Sequence, residues 1–252
     1  MIKKITIIGS GNVATRLSLA LKKGNMEIVQ IISRNQQSGT ELAKKTTALF
    51  SNNPKKILKT DLILICVNDD EIINLIKQLP NIPMVHTSGS TDINVFKNQK
   101  NYGVFYPLQS LNKELDIDFK NIPICIEANN NPLQKILYQI AKNISKNVIV
   151  LNSHQRKHLH LAAVIASNFS NFSYLIAKKH LSEHKIDFSL LKPLIIYGSQ
   201  KILHNDPALT QTGPAKRGDQ KIIKEHLTML KDQNHRKIYK LLSDNILNEY
   251  AK

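Results

Sequence analysis

The feature that most narrows the fold lies at the start of the chain. Lys4–Ile8 is a short β-branched run, and it leads directly into Gly9-Ser10-Gly11-Asn12-Val13-Ala14. A helical pattern follows, with Val13, Leu17, Ala20 and Leu21 on one face and Gly24 placed to cap its end. Glu27–Ile32 then reads as a second strand. Strand, glycine turn, helix and strand fit within about thirty residues, the context in which Gly-x-Gly-x-x-Ala marks a dinucleotide-binding turn. Gly9 permits the tight turn, Gly11 lets a pyrophosphate approach the backbone, and Ala14 is small enough for the helix to pack on the strand. The exposed N–H groups and the dipole at the helix start favour anionic phosphates. Gly9, Ser10, Gly11, Asn12 and Val13 are therefore candidate cofactor-binding residues.

The end of the second strand selects between dinucleotides. NAD binders usually carry an acid there, about 20 residues after the glycines, to hold the ribose 2′-OH. Here the strand ends Ile32-Ser33-Arg34-Asn35, with no acid. Ser33 suits a hydrogen bond to a 2′-phosphate, and Arg34 suits an ion pair with it while stacking on adenine. The expected cofactor is NADP.

Further apolar runs follow at Thr47–Phe50, Asp61–Val67, Met84–His86, Tyr102–Tyr106, Ile124–Glu127 and Val148–Leu151, with a helix at Pro132–Ile144. Leu62–Val67 is apolar throughout, as in a strand buried on both faces of a parallel sheet. The pattern predicts an α/β fold with a doubly wound, mostly parallel sheet. In such sheets ligands bind beyond the carboxyl ends of the strands. That places Gly9–Val13, Asn68, Asp69 and Asp70, and His86-Thr87-Ser88-Gly89 around one crevice. Asn68 and Asp69 join the cofactor candidates, and Ser88 and Gly89 become substrate-binding candidates.

The net charge of +16 invites a nucleic-acid reading. The charge is spread evenly: residues 1–150 hold 19 basic and 11 acidic side chains, residues 151–252 hold 16 and 8. Only 5 of the 35 basic residues are Arg, the side chain that reads base edges and phosphates bidentately. With 33 Ile and 25 Asn beside the lysines, A/T-rich coding accounts for much of the basicity. No nucleic-acid partner is expected. The two cysteines, Cys66 and Cys125, lie in predicted strands and form no Cys-x-x-Cys pair, so neither a disulfide scaffold nor a zinc site is expected. The apolar run after Met1-Ile2-Lys3-Lys4 stops at Gly9, short of a signal peptide. Leu62–Val67 and Leu161–Ala166 are far shorter than the ~20 residues that span a bilayer. The expected location is the cytoplasm, with no membrane partner.

From Ser153 the pattern turns helical, dividing the chain into a dinucleotide-binding domain over 1–152 and a helical substrate and dimerisation domain over 153–252. Ser153–Glu183 reads as one long helix. At 100° per residue, Ala162, Ile165, Phe169, Phe172 and Ile176 form an apolar face. Ser153, His160, Ser167, Asn168 and Asn171 fall opposite, and no Lys or Glu interrupts His160–Asn171. That stripe predicts the wall of a wet cleft. His154 and His158, at i and i+4, lack a nearby carboxylate or cysteine to complete a metal site, and no metal is expected. Helices are expected over Phe188–Leu203, Gln220–Lys231 and Arg236–Tyr250. Between the first two, Lys216 and Arg217 lie in a turn-rich loop suited to an anionic group.

The motifs together resemble one bacterial family. They are the glycine turn, His86-Thr87-Ser88-Gly89-Ser90, Tyr106-Pro107-Leu108-Gln109, Ala162-Ala163 with Ser167-Asn168-Phe169, and Thr212-Gly213-Pro214-Ala215-Lys216-Arg217-Gly218-Asp219. The family is Rossmann-like, and its C-terminal half is a domain of unknown function, type 2520. Its N-terminal domain is similar to deazaflavin-dependent NADP reductases and pyrroline-5-carboxylate reductase. The wider superfamily, that of 6-phosphogluconate dehydrogenase, implies an all-α C-terminal domain and a homodimer formed through it. Relatives carry a catalytic Lys on the first long helix, with Asn one or two turns on. In this sequence His160 stands in a comparable place, with Asn168 two turns later. Tyr106-Pro107 replaces the His-Pro of many relatives, so Tyr106 is not expected to inherit that role.

The reading is an NADP-dependent reductase or dehydrogenase that moves hydride between nicotinamide and a small carbonyl, imine or hydroxy compound bound between the domains. His160 and His86 are the proton-donor candidates by their ordinary pKa of about 6.5. Asn168 and Ser88 would hold the substrate oxygen. Gly89, Asn171 and Arg217 complete the substrate-binding candidates, Arg217 for an anionic group. The alternative is an NADP-binding sensor or assembly protein without chemistry, which the missing Lys favours.

Overall fold

Alternating side chains of the apolar runs are buried on two opposite faces, and that is what makes them strands of a covered sheet. The computed structural model describes residues 2–251. The strands are β1 (Lys4–Ile8), β2 (Glu27–Ile32), β3 (Leu49–Ser51), β4 (Leu62–Ile65), β5 (Met84–His86), β6 (Tyr102–Pro107), β7 (Ile124–Ala128) and β8 (Val148–Val150). They form one sheet in the order β3-β2-β1-β4-β5-β6-β7-β8. All neighbours run parallel except β6 and β7. The helices of this part are α1 (Asn12–Lys23), α2 (Gln36–Thr46), α3 (Asp69–Ile76) and α4 (Asn131–Lys142).

Ile5, Ile7, Leu62 and Leu64 point to one side, into a core with Leu17 and Leu21 of α1, Leu42 of α2 and Leu137 of α4. Ile63 and Ile65 point to the other, against Ile72 and Ile76 of α3 and Phe96. Two-sided burial is why β4 reads as a continuous apolar run. The order reverses at β1, which has β2 on one side and β4 on the other. That reversal opens a crevice beyond the carboxyl ends of β1 and β4.

Two strand starts differ from the sequence pattern, and the ends of β3, β4, β6, β7 and β8 shift by one or two residues. β3 begins at Leu49 rather than Thr47, because Thr47 takes the left-handed conformation (φ 62°) that ends α2. β4 begins after Asp61, whose carboxylate accepts hydrogen bonds from the Lys3 and Lys4 N–H groups at the sheet's edge.

After β8 the chain is helical. α5 (Ser153–Ala163) passes into a π-helical turn (Val164–Phe169) and then α6 (Ser170–Glu183). Asn152 opens α5 with a capping box shared with Gln155. The change from sheet to helix thus falls at 152/153, while the chain parts into compact units later, as Met1–Asn168 and Phe169–Lys252. The physical reason is the anchoring of α5. Arg156, 1% exposed, donates to Glu127 of β7, the Thr91 carbonyl and Ser153 Oγ. Glu127 also accepts from the Ser153 N–H and hydroxyl.

In the second unit, α6 is followed by a 3-10 turn (Phe188–Leu191), α7 (Lys192–His204), the short α8 (Pro207–Thr210) and α9 (Pro214–Arg217), α10 (Gln220–Met229) and α11 (Gln233–Tyr250). α9, α10 and α11 pack together, with His226 Nδ1 2.7 Å from the Tyr239 hydroxyl and Arg236 donating to the Leu227 carbonyl. Among the described residues only Ala215, Ile223 and Ser243 are buried there. The stretch Ser153–Glu183 is long and apolar enough to cross a membrane by length and composition, at mean hydropathy 1.2.

Candidate functional site

Two adjoining cavities run along the carboxyl edge of the sheet within the first unit, and both include Gly11, Cys66, Val67 and Asn68. The first, about 770 Å³, lies beyond β1, β2 and β4 and reaches Gly9, Ser10, Ser33, Arg34 and Glu71. The second, about 690 Å³, lies beyond β4, β5 and β6 and reaches Asn12, Val13, Asp69, Ser88, Gly89, Tyr106, His160, Ser167 and Asn168.

The two glycines of the turn answer to different demands. Gly9 has φ +122°, and a Cβ there would collide with the Cys66 carbonyl, so the protein itself requires it. A Cβ on Gly11 would meet nothing within 4 Å. Its empty side faces the cavities, room that the fold leaves unused. Gly11 is also the N-cap of α1 and supplies no side-chain cap, and no acid stands in the first turn. Asn35, Asn130 and Asn152 cap α2, α4 and α5 with their side chains. The α1 N-terminus is thus an uncapped, positively polarised end beside open space, which fits a phosphate group. The Asn12 side chain, by contrast, accepts from Lys113 N–H. With Arg16, which donates to the carbonyls of Asn112 and Lys113 and to Asp116, it fastens the loop after β6 to α1.

At the end of β2, Ser33 Oγ lies 2.7 Å from Ser10 Oγ, which lies 2.7 Å from Ser38 Oγ. Three hydroxyls so join the glycine turn, β2 and α2. The Arg34 guanidinium is 82% exposed and pairs with Glu71 of α3 at 2.5 Å.

In the second cavity the Tyr106 hydroxyl lies 3.0 Å from His160 Nδ1. Burial pushes the tyrosine up to about 12, so it stays a neutral phenol. Cys66 reaches both cavities, but burial raises its thiol to about 12 and keeps it unreactive. Ser88 Oγ accepts from the N–H groups of Ser90 and Thr91, shaping the turn after β5. Ser90 in turn donates to Asp69. The π-helical turn falls where Val164, Ala166, Ser167 and Asn168 face the cavity, and Ser167 Oγ lies 3.2 Å from Ser110 Oγ. Such turns are frequent at functional sites.

Gly9, Ser10, Gly11, Asn12, Val13, Ser33, Arg34, Asn68 and Asp69 are thus brought to one or both cavities, as are His160, Asn168, Ser88 and Gly89. His86 is not. It is 0% exposed, stacks on Phe96, and accepts from Ser88 N–H through Nδ1. Burial, with the nearby Arg156 charge, lowers it to about 3. It is a neutral core residue that shapes the turn carrying Ser88 and Gly89. Asn171 and Arg217 belong to the second unit. Ser153, placed on the polar stripe by helical spacing, is buried against Glu127. His154 and His158 sit with their Nε2 atoms 3.3 Å apart, and no group of three metal-ligating side chains exists among the described residues. Arg156 is what the sequence reading missed, and Tyr106, which it named and set aside, lines the second cavity. The signal for Tyr106 was its place at the carboxyl end of a strand, where this fold puts its ligands.

A family model described as an NADP oxidoreductase, coenzyme F420-dependent, matches residues 4–86, and one described as a domain of unknown function (DUF2520) matches residues 122–246. A Bacteroides fragilis protein provisionally named an NADP oxidoreductase is 36% identical, with a TM-score of 0.93 and 98% of each chain covered. The chain belongs to the DUF2520 family of NADP oxidoreductases. No curated protein matches it significantly. Two more distant structures share the DUF2520 protein's fold. A Thermotoga maritima protein is 23% identical at TM-score 0.77, covering 97% of this chain and 99% of its own. A reductive aminase from Aspergillus terreus, solved with NADPH and ethyl levulinate, is 13% identical at TM-score 0.69, covering 99% of this chain and 95% of its own. They place the DUF2520 chain in the same architecture: a Rossmann-like domain followed by a helical one.

Proposed function

We propose that this protein is an NADP-dependent reductase or dehydrogenase acting on a small carbonyl, imine or hydroxy compound. The observation that carries the reading is the pair of adjoining cavities. One is built like a nucleotide-phosphate site around Gly11 and Arg34, and the other holds a tyrosine–histidine pair with the power to move protons.

Gly11 and the α1 N-terminus would hold the pyrophosphate. Ser33 and Arg34 would hold the 2′-phosphate, with Ser10 and Ser38 fixing the Ser33 hydroxyl. NADP, when bound, supplies or accepts the hydride. The protein must then exclude water, orient the substrate and manage one proton. Asn168 and Ser88, which line the second cavity, would orient a substrate oxygen or nitrogen. Of the two histidines named as proton donors, His160 would be the one to act, since His86 is sealed in the core, and the Cys66 thiol is raised out of range. Asn171 and Arg217 carry no part of this reading.

The partner we propose is a second copy of the chain, joined through the helical part. α7 has no buried residue, although Leu194, Ile196, Tyr197, Ile202 and Leu203 are each more than half exposed. A helix apolar over so much of its surface calls for cover.

The deciding experiment supplies NADPH deuterated at the nicotinamide C4 with a panel of 2-oxo acids, cyclic imines and ketones. Mass spectrometry should find deuterium in a reduced product. NADP binding without label transfer to any member would favour the alternative, a non-catalytic NADP sensor.

A further inference from the structure

We infer that Tyr106 and His160 form one proton relay, in which the tyrosine hydroxyl hands the proton to the substrate and the histidine ring replaces it. The inference rests on the hydride-transfer reading above and adds the residue that touches the reacting atom.

Geometry supports the coupling from three sides. Tyr106 Oη and His160 Nδ1 are 3.0 Å apart, and the rings meet edge-on at 5.9 Å and 79°. The two side chains come from different elements, the end of β6 and the second turn of α5, and both line the second cavity. The backbone makes room for the junction. A Cβ on Gly89 would come within 2.5 Å of His160 Nδ1 and 2.9 Å of Tyr106 Cζ. No φ in the left-handed range demands glycine at this position, so the close approach of the dyad is the physical reason for it. The Tyr106 hydroxyl, hydrogen-bonded to Nδ1, orients the His160 ring.

The chemistry follows from which group holds a proton well. Burial makes the phenolate of Tyr106 costly, so the tyrosine can release a proton only if another arrives in the same step. In the charged state both His160 nitrogens carry a proton, and Nδ1–H donates to Tyr106 Oη. The Tyr106 O–H is then free to face the substrate. As the substrate atom gains the hydride it becomes basic, and it takes the Tyr106 proton, forming its new O–H or N–H bond. The old Tyr106 O–H bond breaks as Nδ1–H passes its proton to Oη. His160 is left neutral, with its proton on Nε2, and Tyr106 now donates to Nδ1. The sum is one proton moved from His160 to the substrate, with no phenolate formed. A proton from water, entering by the same oxygen, recharges the ring. Oxidation runs the steps in reverse.

The test reads the ring directly. Protein labelled with 15N-histidine, at a pH where the ring is neutral, reports the tautomer through the ring-nitrogen shifts, with His160 assigned from the signal lost in His160→Gln. The expected result is a proton on Nε2 in the natural protein, and a mixture of tautomers in Tyr106→Phe. A proton on Nδ1 in the natural protein, or no change in Tyr106→Phe, would overturn the relay. The kinetic arm uses whichever panel compound is turned over. Tyr106→Phe and His160→Gln should each lower kcat by about 10²-fold, and the double variant should lose little more, as for groups acting as a unit. Losses that multiply would also overturn it. Absence of turnover in the natural protein counts against the hydride-transfer reading alone, because the tautomer measurement needs no substrate.

Discussion

On the proposed reading, Arg34 and Glu71 would set cofactor choice by competition. Their ion pair lies at the mouth of the first cavity, with the arginine 82% exposed, and exposed pairs are worth about 0–1 kcal/mol. A 2′-phosphate carries more charge than the Glu71 carboxylate and can accept two guanidinium N–H groups, so it should displace the acid at small cost. Arg34→Ala should therefore weaken NADP+ binding about tenfold, the worth of one charge-assisted hydrogen bond, and leave NAD+ binding nearly unchanged. Glu71→Gln should tighten NADP+ binding. Calorimetric titration of both cofactors checks each effect, and NAD+ binding as tightly as NADP+ in the natural protein would show that Arg34 does not select. His86 makes the matching prediction for stability. Its folded pKa is lowered to about 3, while the unfolded chain returns it to the ordinary 6.5. Between those values the unfolded state binds the extra proton. The stability held above pH 6.5 is thus lost as pH falls toward 3, at up to about 1.4 kcal/mol per pH unit. Urea melts across this range should show the slope, and His86→Gln should flatten it; an unchanged slope would assign the acid sensitivity to other groups.

At the scale of elements, what could be read in advance depended on how local the cause was. β1, the glycine turn, α1 and β2 are determined by side chains within about thirty residues of one another, and a periodic pattern is enough to see them. The alternation of Ile5 and Ile7 against Ile8, or Leu62 and Leu64 against Ile63 and Ile65, was hidden because both faces are apolar. Even so, the unbroken run itself signals two-sided cover. The π-helical turn defeats a fixed 100° step. One more residue per turn shifts everything beyond Val164, so the spacing that grouped Ser153, His160 and Asn171 does not describe a single face. Ser153 also goes to Glu127, and that choice is made by Arg156, whose partners stand 29 and 65 residues away. The Tyr106–His160 pair spans 54 residues. Such contacts belong to the assembled sheet and leave no periodic trace in either segment. His86 shows the same limit from the other side. Its neighbours in the chain placed it correctly at a strand end, but only packing against Phe96 decides that the ring turns inward.

For the whole molecule, the open question is what covers the helical part. α7 runs from Lys192 to His204 without one buried side chain, and Leu203, Leu194 and Tyr197 are 73%, 65% and 61% exposed. Leu190, in the 3-10 turn just before α7, is 70% exposed as well. Fully burying one such side chain is worth about 1.5–3 kcal/mol, so a handful left in water is a large loss for a chain of ordinary stability. A bilayer and a second copy both offer cover. Length and composition alone would admit Ser153–Glu183 to a membrane, yet its first turns are held to the sheet by Arg156 and Tyr106, which a spanning helix could not keep. α7 is also too short to span, and Lys192, Lys201 and His204 punctuate it. A copy of the same chain offers a matching apolar surface under two-fold symmetry, where one patch serves both partners. Light scattering after size exclusion should therefore give twice the chain mass at micromolar concentration. Leu194→Glu with Leu203→Glu should give one chain mass while keeping NADP+ affinity, since the proposed phosphate site is built wholly from the first unit. A natural protein that runs as a single chain and floats with phosphatidylcholine vesicles would reject the dimer in favour of the bilayer.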